Sequence, residues 1–387
     1  MTILDFDLDI FLKDDWQKKP ALIRNPWPSW HNPLEPAELA GLACEKDVEA
    51  RLVTQRAGNW TVEHGPFPED RFGMPDTAPW TLLVQAVDHF VPDVAALLDP
   101  FRFVPNWRMD DVMVSYATEG GGVGPHFDQY DVFLIQGLGQ RRWRVGGHCD
   151  QETPLLPHDD LRLLADFEAT DEWILSPGDI LYVPPGIAHE GIAVSDDCMT
   201  YSIGFRAPSR SELIAHWCDH LLEQLQDDDR YEDWRSGAAP FGQDNPGEIA
   251  AGALDGLHRM IAERMLDRDA FARWFGQYNS VRKYPDVDWR PDEPATPEMV
   301  RHWIDNDVPL QRNPASRFSF VRNGAASLTL FVDGAGFDCD QATSGFAEQI
   351  CAQDQVEIDP DIGAIGPVLD LVVQLINQGS VAFDDED

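Results

Sequence analysis

The feature that most constrains this chain is a set of two histidines and one aspartate carried on a succession of short strand patterns. His126-Phe127-Asp128 follows Gly120-Gly121-Gly122-Val123-Gly124-Pro125 and stands at the head of an apolar run, Val132 to Ile135. His189 comes later, at the end of Pro184-Pro185-Gly186-Ile187-Ala188-His189. An extended chain places residues i and i+2 on one face, so His126 and Asp128 can reach a single ion. Two histidines and a carboxylate bind non-haem Fe(II) on one face and leave the other open. An H-x-D alone is weak evidence; a downstream histidine bracketed by further strand patterns makes this a metal site.

Around these residues the strand signals are dense. Asp111 to Tyr116 alternates, and Asp131 to Gln136 and Arg141 to Val145 read as a hairpin joined by Gly137-Leu138-Gly139. Glu172 to Leu175 and Asp179 to Val183, joined through Pro177-Gly178, repeat that plan; Glu190 to Val194 and Met199 to Phe205 complete it. Many short strands with Gly/Pro turns predict a sandwich or jelly roll, flanked by helices at Pro36 to Leu42 and Thr81 to His89. After Pro208 the period changes. Ser209-Arg210-Ser211-Glu212 fits a capping box, and Leu213, Trp217, Leu221 and Leu225 recur on one helix face. A polar stretch, Asp227 to Asn245, precedes helical patterns at Glu248 to Leu266 and Ala270 to Tyr278. Such helices cannot close a core alone and predict a dimerisation bundle. Beyond a Pro- and Asp-rich linker, Pro285 to Pro297, the order of helix, strands and helices resembles a winged helix. The expected layout is α+β: residues 1–208, 209–284 and 285–387.

Strand phase sharpens the site. If His126 and Asp128 point inward, so do Tyr130 and Val132; Arg141 shares its phase with Trp143 and Val145. An arginine on an apolar inner face is costly unless it meets an anion. The alternatives are an internal ion pair or a bound carboxylate gripped by the guanidinium fork. A dicarboxylate that also chelates iron, 2-oxoglutarate, would supply that carboxylate. Asp111, Met113, Ser115 and Ala117 share a phase on the preceding strand, where an inward Asp111 could receive a cationic substrate group or else face water at a strand edge. Phe127, Phe133 and Trp143 read as core, and Asp179 as a turn residue. His216, Cys218 and His220 read as a packed or solvated helix face, since no third donor is fixed beside them.

The formal charge of −39 argues against direct nucleic-acid binding and favours a basic partner, although a GC-rich genome or a salty cytoplasm would leave the same mark. The winged-helix-like region carries four basic against sixteen acidic side chains over residues 297–387. Six scattered cysteines without a C-x-x-C, no eighteen-residue apolar stretch and an acidic N-terminus lead to the expectation of a reduced, cytoplasmic protein with no membrane contact.

Gly121 to Phe133, Gly139 to Val145, Pro177 to Pro185 and Gly204 to Pro208 resemble the JmjC oxygenases, which share a cupin-like double-stranded β-helix. Within them the chain is similar to the bacterial ribosomal oxygenases that hydroxylate an arginine of the sixteenth large-subunit ribosomal protein. Trp16-Gln17-Lys18-Lys19-Pro20 and the three-part layout extend the likeness along nearly the whole chain. The resemblance implies Fe(II) on His126, Asp128 and His189, with 2-oxoglutarate held through Arg141. It implies a substrate guanidinium at Asp111 and Ser202, its alkyl stem between Met113 and Tyr130, and a basic ribosomal protein as partner of a homodimer. Two positions depart from the family: Ala117 replaces a small hydroxyl residue, and Thr200, near the cosubstrate, replaces an asparagine. A JmjC demethylase of methylated lysine or arginine is the nearest alternative, because demethylation begins with the same hydroxylation. A non-catalytic cupin-like metal scaffold is the alternative from another class, and it would need neither an open metal face nor an anion clamp.

Overall fold

The apolar run after Asp128 is continuous because its strand is covered on both faces. In the computed structural model, which describes residues 5–56, 58–73, 78–232, 245–363 and 365–384, that run is β6, Asp131–Leu138. Its Val132 and Leu134 turn inward to Trp143, Val145, Leu175, Leu181 and Val183. Phe133 and Ile135 turn the other way, into a second core with Tyr182, Tyr201 and Phe205. The N-terminal helix Leu8–Asp14 and Trp16 close that outer core, Trp16 stacking on Tyr182 with ring centroids 5.4 Å apart.

Eleven strands build the first part of the fold. They are β1 (Ala21–Ile23), β2 (Ala50–Arg56), β3 (Asn59–His64), β4 (Trp80–Val84), β5 (Met109–Ala117), β6, β7 (Arg141–His148), β8 (Ala169–Leu175), β9 (Ile180–Val183), β10 (Ile187–Ala193) and β11 (Cys198–Phe205). The large sheet runs β1-β9-β6-β11-β5-β4-β2-β3 and the small sheet β10-β7-β8, all antiparallel. The segment bearing His126 joins the small sheet through the bridges Gly122↔Ile192 and His126↔His189. The result is a double-stranded β-helix, the jelly roll that the sequence patterns predict.

Two sequence readings are corrected. β6 and β7 do not form a hairpin: Gly137-Leu138-Gly139 carries the chain from the large sheet to the small one, and β8 to β9 returns it. Glycine punctuation marks both a hairpin and a corner between sheets, and only the pairing distinguishes them. The segment Thr81 to His89 is not a helix either. Trp80–Val84 pairs with β2 and β5, and a short 3-10 turn, Val87–His89, follows. A strand buried on both faces has no period to read.

Ser209 and Glu212 form the expected capping box on the helix Arg210–Gln224. This helix packs with Ala251–Met265 and Arg268–Ser280 around Trp217, Phe271 and Trp274. The stretch between, from 233 to 244, lies outside the described residues, as does the tail from 385. Arg268–Ser280 then lies against the last part of the chain, where Gly276 leaves no room for a Cβ over the Phe331 ring. That part is a winged-helix fold with one core, from Val300 and Phe346 to Val372 and Leu375. Its helices are Pro297–Asp305, Ser344–Ala352 and Gly366–Asn377, and its sheets are β16-β12-β17 and β13-β14-β15. These strands are β12 (Leu310–Arg312), β13 (Phe318–Arg322), β14 (Leu328–Val332), β15 (Ala335–Cys339), β16 (Gln355–Val356) and β17 (Val381–Phe383). The fold class is therefore α+β, as the sequence predicts.

Candidate metal and cosubstrate site

The backbone brings the three metal-ligating side chains together before any ion is considered. His126 and His189 exchange both ladder hydrogen bonds, at 3.0 and 2.8 Å, so their rings stand side by side with centroids 4.3 Å apart. Gly186, in the left-handed region at φ +77°, turns the chain into β10 and donates its N–H to the Asp128 carbonyl at 2.7 Å. One ligand atom from each of His126, Asp128 and His189 then lies within 4.8 Å of the others. Nδ1 of His126 meets the Gly124 carbonyl at 2.9 Å, and Nδ1 of His189 meets the Ile187 carbonyl at 2.9 Å. Each contact places the ring proton on Nδ1 and leaves the Nε2 lone pair for a metal. Nε2 of His189 is 3.6 Å from the Asp128 carboxylate. Burial, aided by the neighbouring His126, pushes His189 down to about 4, so the ring is neutral and available as a ligand at physiological pH. Two imidazoles and one carboxylate, with no thiolate and no fourth protein donor in the cluster among the described residues, fit Fe(II) with open positions.

The same cavity, about 310 Å3, holds Arg141, Thr200, Met113, Tyr130 and Ser202. Arg141 is 3 % exposed on β7, in phase with Trp143 and Val145. Its Nε donates to Cys198 Sγ at 3.4 Å, its Cζ lies 5.8 Å from the Trp143 ring centroid, and its Nη2 is buried without a hydrogen-bond partner. Among the described residues no carboxylate pairs with it, which removes the internal ion pair as the reason for a buried guanidinium. An orphaned cationic donor facing a metal cluster across one cavity fits a bound carboxylate. Thr200 also faces this cavity, where its hydroxyl donates to Gln136 Oε1 at 3.2 Å.

β5 and β11 carry the remaining residues in register: Met113 opposes Ser202, and Ser115 opposes Thr200. Met113, Tyr130 and Ser202 also line a second, larger cavity of about 660 Å3, whose wall includes Asp111. Tyr130 stands beside Asp128 and lines both cavities, 42 % exposed. Asp111 does not face water. It is buried, and its Oδ2 accepts from Gln85 Nε2 at 2.7 Å and from the Ala86 N–H at 2.9 Å.

Some residues of the cleft carry no signal in their local sequence. Arg51 of β2 lines both cavities. Lys283, from beyond the helix Arg268–Ser280, reaches Asp111 at 2.9 Å and Asp110 at 3.1 Å. Neither sits in a motif, and Lys283 stands out only because five of the chain's twenty-nine basic residues are lysine. Other readings stay structural. Asp179 is a turn residue tied to Arg24 and to the Asn25 and Ser176 N–H groups, and His216 and His220 pack on Tyr278, Trp217 and Trp274. All six cysteines are free.

A cupin-like sandwich that sets two histidines and a carboxylate beside a buried, unpaired arginine defines the class of 2-oxoglutarate-dependent non-haem oxygenases. Comparison with known proteins narrows the class. The JmjC domain family matches residues 96–213, and the ROXA-like winged helix matches residues 260–382. The ribosomal protein uL16 3-hydroxylase of Escherichia coli is 43% identical over 285 residues, 73% of this chain and 74% of its own. A probable ribosomal oxygenase of Haemophilus influenzae is 37% identical over 306 residues, 77% of this chain and 74% of its own. The structure of the E. coli ribosomal oxygenase YcfD in complex with cobalt and 2-oxoglutarate superposes with a TM-score of 0.85 at 34% identity, covering 99% of this chain and 100% of the other. The chain belongs to the JmjC ribosomal oxygenases.

Proposed function

We propose that this protein is an Fe(II)- and 2-oxoglutarate-dependent hydroxylase that acts on an arginine side chain of the large-subunit ribosomal protein uL16. His126, Asp128 and His189 hold the iron, and Arg141 grips the distal carboxylate of 2-oxoglutarate, with Thr200 beside it. With O2, the bound iron and 2-oxoglutarate supply the oxidant that converts C–H to C–OH, releasing succinate and CO2. The chain's own residues position and exclude. Trp143, Val132 and Leu134 keep the inner cavity dry, Met113 and Tyr130 flank an entering aliphatic stem, and Asp111 with Ser202 receives the group at its end.

The observation that carries this reading is Arg141: a buried guanidinium with an unpartnered Nη2, in the same cavity as the metal cluster. A scaffold that merely retained a metal would have no use for it. The choice of arginine is supported by the buried Asp111 carboxylate at the far end of the wide cavity. The choice of uL16 is supported by the similarity to the ribosomal protein uL16 3-hydroxylase of E. coli. A basic ribosomal protein also suits a chain of formal charge −39.

The same proposal assigns residues 1–208 to the oxygenase, 209–284 to dimerisation and 285–387 to the winged helix, in a cytoplasmic homodimer without direct contact to nucleic acid. Exposed Ile214, Leu222, Leu254, Leu257 and Ile261 on two neighbouring helices support the dimer. Among the described residues no helix is long and apolar enough to cross a membrane.

The test is the mass of ribosomal proteins incubated with this protein, Fe(II), 2-oxoglutarate and O2, beside an Asp128→Ala control. One added oxygen on an arginine-containing uL16 peptide is the expected result. Loss of a methyl group would replace hydroxylation by demethylation, and an unchanged mass with 2-oxoglutarate still consumed would discard the substrate.

A further inference from the structure

Asp111 is already paired. Lys283 Nζ lies 2.9 Å from its Oδ2 and 3.1 Å from Asp110 Oδ2, inside the wide cavity. Oδ2 of Asp111 thus holds three donors, from Gln85, Ala86 and Lys283, while among the described residues Oδ1 accepts no hydrogen bond. Asp110 is paired twice, with Lys283 on Oδ2 and with Arg317 on Oδ1 at 2.7 Å. Both acids are therefore already paired with cations, and Arg206 stands on the same cavity wall, so the end of the cleft offers no unpaired negative charge. A substrate cation brought into this largely buried cluster would lose its hydration without gaining net charge attraction.

Lys283 is the member of this cluster that is free to give way. Gln85 is a neutral donor, the Ala86 N–H is fixed in the backbone, and Arg317 touches only Asp110 of the two acids. Lys283 sits at the end of a flexible four-carbon stem, one-fifth exposed, in the connection between the helix Arg268–Ser280 and the winged helix. On leaving Asp111 it keeps Asp110 as a partner. Its chemistry fits as well. An ammonium takes Asp111 through one oxygen, whereas a guanidinium fork takes both and can outbid it. In a chain that uses arginine for most of its cations, an arginine here would hold Asp111 as firmly as any substrate could.

We propose that Lys283 is an internal stand-in for the substrate cation: it occupies Asp111 in the empty cleft and moves onto Asp110 when a substrate guanidinium arrives. This rests on the reading of the cleft as a site for a cationic side chain. Lys283 thereby sets an affinity threshold, since every incoming cation must compete with one tethered in place.

The test is calorimetric binding of N-acetyl-arginine methylamide, and of its neutral citrulline counterpart, to the full-length protein loaded with Co(II) and 2-oxoglutarate without O2. Lys283→Gln and Lys283→Met should each bind the arginine probe about tenfold tighter, the scale of one partly buried ion pair. The citrulline probe should be unaffected. Lys283→Arg should bind the arginine probe no better than the native protein, and in an Asp111→Asn background Lys283→Gln should produce no gain. Equal or weaker arginine binding in both neutral variants overturns the proposal, as does the same gain without the Asp111 carboxylate. If uL16 is left unmodified while the neutral variants still gain, the substrate reading falls and the role of Lys283 stands. If uL16 is hydroxylated and neither variant gains, the role of Lys283 falls alone.

Discussion

Replacing Arg141 by methionine separates its two energetic roles. Without a bound anion, the guanidinium is 3 % exposed, with only a thiol and an indole face for company and Nη2 unpartnered. A charge in that position costs stability, so Arg141→Met should make the protein without 2-oxoglutarate more stable, by about 1–2 kcal/mol, or a few degrees in Tm. With 2-oxoglutarate the sign reverses. Losing a charged, two-pronged contact in a water-poor cavity costs about 2–5 kcal/mol, which weakens the cosubstrate by roughly 30-fold to several thousand-fold.

The assay is thermal unfolding with Co(II), with and without 2-oxoglutarate, followed by the 2-oxoglutarate dependence of succinate formation with Fe(II). At a hundred times the native Kd, ligand adds about 2.7 kcal/mol to the native protein; a thirtyfold loss of affinity leaves the variant under about 1 kcal/mol. Arg141→Lys keeps the charge without the fork and should fall between. Full 2-oxoglutarate stabilisation in Arg141→Met would refute the anion clamp. A large loss of stability in the ligand-free variant would show instead that Cys198 and Trp143 satisfy the guanidinium.

Asp128→Ala should keep the circular dichroism spectrum, lose the stabilisation that Co(II) gives, and lose turnover to background; retained metal stabilisation would move the site. Asp111→Asn should raise KM for an arginine peptide about 10- to 100-fold, the value of a hydrogen bond to a charged group, while uncoupled 2-oxoglutarate decay persists. Equal loss of both activities would mark Asp111 as general support. Leu222→Asp with Ile261→Asp should halve the mass measured by light scattering, and an unchanged mass would place the dimer contact elsewhere. Asp88 is fully buried beside Asp111, and burial followed by that like charge raises its carboxyl to about 8. Its folded state binds the proton more tightly than the unfolded state, so its contribution to stability is present below about pH 4 and is lost as pH rises to about 8. Asp88→Asn should flatten this window in denaturant titrations and stabilise the protein at pH 7 by up to about 4 kcal/mol. An unchanged pH profile would show that the carboxyl is ionised in the fold.

The parts of the site that were legible in the sequence are those whose information is local. His126, Asp128 and Arg141 announce themselves by phase against apolar neighbours, because a strand has only two faces and a charge on the inner one needs a reason. What stayed hidden depends on pairing across distance. Gly137-Leu138-Gly139 reads as a hairpin because a corner between two sheets uses the same residues. Trp80–Val84 lacks alternation because it is buried on both sides. Lys283 lies 172 residues from Asp111, on an element whose own pattern speaks only of helices and linkers.

That distribution follows from how the cleft is assembled. The small sheet supplies His189 and Arg141, and the segment bridged to it supplies His126 and Asp128, so the candidate metal ligands and the unpaired guanidinium sit on one layer. The large sheet supplies Met113, Thr200 and Ser202, which face that layer across the cavity, and Asp111, which lines the adjoining larger one. Lys283 and Arg317 come from chain that follows both sheets, and they neutralise the acids at the far end. The net charge of −39 can attract a basic protein over distances of about one Debye length, near 10 Å. At the end of the cleft, each of the two acids already has a cation beside it. Attraction brings a partner to the surface, but the last step is decided by whether its side chain can reach past Met113 and Tyr130 and replace the cation already in place.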